Sequence, residues 1–262
     1  MSVYRITEWF DQIQSRGDYT FSIEDAVRQT GRSVSSLRAS LRNQKKLRRI
    51  FSPRRGFYVL VPPEYRKAIS PPPSWYIDDL MKYFGQPYYV GILTAADYYG
   101  ASHQKPMVFQ VVTNKPTKPI SVGNVRILFY MNSNIDDMPV KTVLTETGSM
   151  KVGTPETTAF DLVHYHYASG YFNNIVTILT ELVEAMDSKL LVSLAKLMKL
   201  PDVQRLGFLL DSLNEVKLSK SLESWLIKKS PRSVVLCRDA PQGKSFDKRW
   251  HIYQNTELDS DL

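Results

Sequence analysis

The sequence predicts an α+β fold in two parts: a small module of three helices and a hairpin, then a larger mixed α/β domain ending in a helical region. Three observations carry this. The first is charge. Lys+Arg against Asp+Glu gives 14 − 6 = +8 for residues 1–73 and 20 − 20 = 0 for residues 74–262, so the whole excess of a 262-residue chain sits in its first quarter. The second is the segment 62–73, PPEYRKAISPPP, in which five of twelve residues are proline. Proline fixes φ and favours extended backbone, so a stiff linker is expected there, between domains 1–61 and 74–262. The third is periodicity, which is mixed after the linker and helical from about Pro155 onward.

The elements follow in order. Val3, Ile6, Phe10 and Ile13 keep a helical period over about Val3–Gln14, and Gly17 helps end that helix. Ser22 is placed as the N-cap of a second helix, about Ile23–Gln29, with Asp25 at its third position. Ser33 is placed to cap a third, about Val34–Lys46, with Val34, Leu37 and Leu41 inward. Two strands, about Leu47–Phe51 and Phe57–Val61, are joined by Ser52-Pro53-Arg54-Arg55-Gly56, a suitable tight turn. Beyond the linker, helices are expected at about Pro73–Phe84 and Ile92–Tyr99, and strands at about Met107–Val112, Val125–Met131 and Val140–Thr145. Helices follow at about Glu156–Tyr167, Asn173–Asp187, Lys189–Met198, Val203–Leu213 and Ser219–Ile227. The acidic tail, Glu257–Leu262, is expected to fray.

Three helices and a hairpin in about sixty basic residues have the order of a winged helix-turn-helix. No Asp or Glu stands between Asp25 and Glu64. A helix suits the major groove when one face packs on its domain and the other is polar and basic. The third helix divides that way, with Ser35, Arg38, Arg42 and Lys45 as the outward stripe. Arg32, Ser33 and Ser36 sit near its start, where side chains and free N–H groups reach phosphates or base edges. Arg38 and Arg42 are the expected base readers. Arg54 and Arg55 at the hairpin tip, with Lys45 and Lys46, are the expected phosphate clamps. About six phosphate contacts would give log K a slope of about −5 against log salt. The bland alternative is a merely solvated basic face.

The bulk composition excludes much. No apolar run approaches the roughly 18–20 residues of a membrane span, and MSVYRITEWF has neither the cationic nor the apolar region of a signal peptide. Cys237 is the only cysteine, so there is no intrachain disulfide and no thiolate metal cage, which favours a reducing, cytoplasmic compartment. No Gly-rich phosphate loop, H-E-x-x-H or G-x-S-x-G occurs. His164 and His166 point about 200° apart on a helix, so they do not share a metal ion. Thr154 reads as the cap of a helix starting at Pro155, and Asp161 as a local hydrogen-bonding group or the partner of an arginine such as Arg205. Tyr88-Tyr89-Val90-Gly91 and Tyr98-Tyr99-Gly100 read as core packing before base stacking. No catalytic residue, metal ligand or cofactor is expected.

Taken together, the segments resemble the AbiEi family, the antitoxin and regulator of AbiE-type (type IV) bacterial toxin–antitoxin systems. The resemblance rests on the basic start, Gly56-Phe57-Tyr58-Val59 with Pro62-Pro63-Glu64-Tyr65, and Tyr88 to Ala96. It continues through Gly100-Ala101-Ser102-His103-Gln104, Val108 to Thr113, Thr154 to Val163, Gln204-Arg205-Leu206-Gly207 and Arg249-Trp250. It implies a winged helix that binds inverted repeats in double-stranded promoter DNA and represses its own operon. It further implies a C-terminal antitoxin domain, whose functional partner is a nucleotidyltransferase-like toxin with no stable complex required. Two other readings stay open: a nucleic-acid-directed enzyme built on Asp161, Arg205 and His164, and a stand-alone regulator with a C-terminal sensing domain.

Overall fold

Helices and three sheets are present in the computed structural model, which describes residues 5–102, 104–241, 243 and 245–258. Val3, His103 and the end of the acidic tail, 259–262, lie outside the described residues. The chain divides into two compact units. The first comprises residues 1–89, 107–133 and 142–151; the second comprises 90–106, 134–141 and 152–262.

The first unit begins with α1 (Ile6–Ser15), β1 (Thr20–Ser22), α2 (Ile23–Thr30), α3 (Val34–Lys46), β2 (Ile50–Arg54) and β3 (Phe57–Leu60). Local chemistry sets these bounds. The Ser22 hydroxyl accepts from Asp25 N, and the Asp25 carboxylate accepts from Ser22 N in return, a reciprocal cap. Gly31, left-handed at φ +66°, ends α2. The strands form an antiparallel sheet in the order β1-β3-β2. Trp9, Phe10, Phe21, Leu37, Leu41 and Leu60 close the core between helices and sheet. Burying a leucine of that kind contributes roughly 1.5–3 kcal/mol.

The proline-rich stretch does not hang free within this unit. Pro63–Tyr65 and Pro73–Trp75 are single 3-10 turns, and Ser70 and Pro71 are buried. Aromatic edges hold it: Tyr19 and Tyr65 both pack T-shaped on Trp75, and Phe51 on Tyr76. Stiff proline backbone costs little entropy to order, so the segment packs where a flexible tether would not. The helix expected from Pro73 starts instead at Ile77, as α4 (Ile77–Phe84).

A second sheet follows, in the order β6-β7-β5-β4-β9-β8. Its strands are β4 (Tyr88–Val90), β5 (Phe109–Thr113), β6 (Ile120–Val122), β7 (Val125–Met131), β8 (Val140–Thr145) and β9 (Gly148–Gly153). β5 and β7 run parallel, with Phe109 opposite Ile127 and Thr113 opposite Met131. Val90, Val140, Lys141, Val152 and Gly153 of these strands belong to the second unit.

The second unit is mainly helical: α5 (Ile92–Tyr98), α6 (Pro155–His164), α7 (Tyr171–Leu182), α8 (Ser188–Ala195), α9 (Leu200–Ser212) and α10 (Val216–Leu226). A small sheet ends it, with β12 (Ile252–Gln254) between β10 (Val234–Val235), to which it is parallel, and β11 (Ser245–Asp247). Helix α6 starts as expected, with Pro155 first and the Thr154 hydroxyl accepting from Thr157 N at 3.3 Å. Among the described residues no helix is long and apolar enough to cross a membrane.

Candidate nucleic-acid interface

Helix α3 carries the densest group of expected contact residues. Ser33 caps it, its hydroxyl accepting from Ser36 N at 3.3 Å. Leu37, Leu41 and Gln44 are buried. Ser35, Ser36, Arg38, Arg42, Lys45 and Lys46 are all exposed on the remaining arc. Val34, expected inward, is 39% exposed, because its place in the first turn lies at the edge of the buried arc. Two of the bases are held against the helix. Arg32 Nη2 donates to the hydroxyls of Ser36 (2.9 Å) and Ser40 (2.7 Å), which lays its guanidinium along the flank of the helix. Arg42 Nε donates to the Arg38 carbonyl at 3.4 Å. These partners are neutral, so the positive charge of the face is undiminished. Tyr58 on β3 has its pKa pushed up by burial, against a nearby Arg38 that pulls it down, and it stays a neutral phenol.

The hairpin differs from expectation in register. Strand β2 runs on to Arg54, so the turn is Arg55-Gly56, with Gly56 at φ +87°. A Cβ there would come within 2.6 Å of the Tyr83 hydroxyl, which itself donates to the Arg55 carbonyl. Arg55 is exposed on the turn. Arg54 closes the strand, with Nη2 donating to the Lys118 carbonyl at 2.8 Å and its guanidinium 5.4 Å from the Phe84 ring centre. It is anchored within the unit, whereas Arg55 is free to reach outward. Arg48 was not singled out from the sequence. It is an exposed base in a left-handed turn (φ 53°) directly after α3, and the run Lys45-Lys46-Leu47-Arg48-Arg49 already carried its signal.

The family-like segments of the second unit resolve into a clasp. On α9, Gln204 Nε2 donates to the carbonyls of Arg232 (2.9 Å) and Trp250 (3.0 Å). Arg205 Nη2 donates to Val235 O at 3.0 Å and Nε to Leu236 O at 2.9 Å. Its carboxylate partner is Asp202, at 3.3 Å, where Asp161 was the sequence expectation; three residues apart on one helix, Asp202 is the nearer neighbour. Burial pulls the Arg205 guanidinium below its usual range, opposed by Asp202. Asp202 also binds His164 Nδ1 at 2.6 Å. His166 instead stacks on Phe172, so the two imidazoles have separate surroundings. Trp250 is fully buried, with Nε1 donating to Asp211 at 3.1 Å. Arg249 pairs with Asp211 and with Glu223, the latter at 2.7 Å. Of the aromatic motifs, Tyr88 and Tyr89 are core. Tyr99 donates to the Gly153 carbonyl, and Tyr98 is about half exposed.

Comparison with known proteins places these elements. Residues 89–212 match the family model described as the AbiEi antitoxin C-terminal domain. No curated protein matches the chain. Among solved structures, the crystal structure of the RV2827C protein from Mycobacterium tuberculosis superposes with a TM-score of 0.68 over 94% of this chain and 89% of that chain. The identity is 14%, so this likeness concerns the fold.

Proposed function

We propose that this protein is a type IV antitoxin that also represses its own operon, a reading supported by the match of residues 89–212 to the AbiEi antitoxin C-terminal domain. In this reading residues 1–61 are a winged helix-turn-helix that binds inverted repeats in double-stranded promoter DNA. Residues 74–262 counter a nucleotidyltransferase-like toxin in the cytoplasm, without catalysis and with no stable complex required. The observation that carries the DNA half is the division of α3. Leu37 and Leu41 are buried on one side, while Ser35, Arg38, Arg42 and Lys45 lie exposed on the other. A basic helix anchored by its apolar face is what groove insertion requires. Arg32 and Arg55 supply flanking phosphate contacts, and Arg54 a weaker one, since its guanidinium is already engaged.

The test is a mobility shift with the protein's own promoter. Arg38→Ala with Arg42→Ala should abolish specific retardation and derepress a promoter fusion, while leaving protection against the toxin intact. Undiminished specific binding by the double variant would remove α3 as the recognition helix. Loss of protection by a folded variant would remove the division of labour.

A further inference from the structure

The second unit carries 15 Lys+Arg against 17 Asp+Glu, a net charge of −2. One stretch departs from that balance. Between residues 216 and 233, Lys217, Lys220, Lys228, Lys229 and Arg232 face a single acid, Glu223. That carboxylate is occupied by Arg249 at 2.7 Å. All five bases are exposed. Lys217, Lys220, Ser224 and Lys228 follow i, i+3, i+7 and i+11, so they line one face of α10 and of the 3-10 turn Ile227–Lys229 that continues it. Leu218, Leu222 and Leu226 hold the opposite face in the core. Helix α8, packed beside α10, contains no carboxylate.

Two further features qualify the face. The hydroxyls of Ser221 and Ser224 donate back to the carbonyls of Lys217 and Lys220 at 2.8 Å, so the polar groups between the lysines add no negative charge. Beside them lies Trp225, half-buried, with Lys229 Nζ 5.4 Å from its ring centre, and Ile227 is 67% exposed. An aromatic plane and an apolar side chain set among repeated ammonium groups suit a strand whose bases are free to stack. A duplex hides its base faces and leaves such apolar groups against phosphate. The helix face itself presents lysine, which reads backbone rather than base edges, and the one arginine of the stretch, Arg232, lies beyond the helical turns, so little sequence preference follows.

We infer that this face of α10 binds single-stranded polynucleotide, with Lys217, Lys220 and Lys228 on successive phosphates and Trp225 beside a base. This is a nucleic-acid surface additional to α3, and it does not rest on the promoter reading. The probe is a fluorescent dodecamer of uridine, titrated with full-length protein by anisotropy at about 100 mM salt. Lys217→Gln, Lys220→Gln and Lys228→Gln together should weaken it about tenfold or more and reduce the slope of log K against log salt by about 2. All three positions are exposed, so an unchanged thermal transition identifies a folded variant. Trp225→Phe should retain most of the affinity and Trp225→Ala should lose it. Arg38→Ala with Arg42→Ala should leave the dodecamer bound while losing promoter duplex, which separates this proposal from the preceding one. Equal binding of a thymidine dodecamer supports a backbone-led contact; tighter binding of the RNA supports one that includes the 2′-hydroxyl. Undiminished dodecamer binding by the folded triple variant would overturn the inference. So would equal losses of dodecamer and duplex in that variant.

Discussion

A Cβ at residue 207 would stand 2.0 Å from the Trp250 ring. Helix and indole are in contact because glycine leaves room for nothing else, and neither is near a surface that yields. Gly207→Ala should therefore destabilise the protein by about 1–3 kcal/mol, read as a lower urea midpoint at unchanged slope. In a Trp250→Leu background the same substitution should cost less, since the smaller side chain vacates the clash. His166 makes a different prediction. Burial lowers its pKa below the usual 6.5, Arg205 adds to the effect, and its Nε2 is buried without a hydrogen-bond partner. A base with a depressed folded-state pKa binds its proton more readily when unfolded. The folded state is thus favoured above about pH 6.5, and that advantage is lost as pH falls from there through the lowered folded pKa. His166→Phe should flatten this part of the stability profile between pH 7 and 5, measured by thermal melting.

At the scale of the element, α3 was legible because every signal for it is local. A serine cap, leucines at i and i+4 and a run of bases fix its bounds at Val34–Lys46, as expected from the sequence. Ser33→Ala should cost about 1 kcal/mol by freeing the first-turn N–H groups, measured by urea denaturation. The short strands were not legible. β1, β4, β6, β10, β11 and β12 run for two or three residues each, too few for alternation to register, and their identity as strands comes from partners elsewhere in the chain. The hairpin was found in outline but shifted. Pro53 and Arg54 look like turn residues, yet strand β2 carries through them to pair Arg54 with Phe57, across an irregularity in the ladder.

At the scale of the molecule, the charge step of the sequence becomes steeper when it is taken over the compact units. The first holds 19 − 9 = +10 and the second 15 − 17 = −2. The extra bases of the first come from Lys82, Lys115, Lys118, Arg126 and Lys151, far along the chain from α3 but in the same unit. Under the proposed reading, promoter binding should accordingly show a slope of about −5 in log K against log salt, and Lys45→Gln with Lys46→Gln, at two of the expected phosphate clamps, should reduce its magnitude by about 2. The proline-rich stretch was visible in the sequence, but its packing was not. Its burial depends on Trp75, Tyr76 and their aromatic partners, which composition alone cannot pair. The same holds for Gln204-Arg205-Leu206-Gly207 and Arg249-Trp250. Each was noticeable as a segment, but only the folded chain brings them together across some forty residues of sequence.

That clasp bears on where the molecule can be cut. The family match ends at residue 212, yet Gln204 and Arg205 direct their donors to carbonyls of Arg232, Val235, Leu236 and Trp250. A fragment trimmed to the match would leave a guanidinium and a carboxamide built for burial with nothing to donate to, at a cost of several kcal/mol. What is inherited as a recognisable segment is shorter than what must be synthesised for it to fold. An expression fragment that contains the matched segment therefore has to extend through β12.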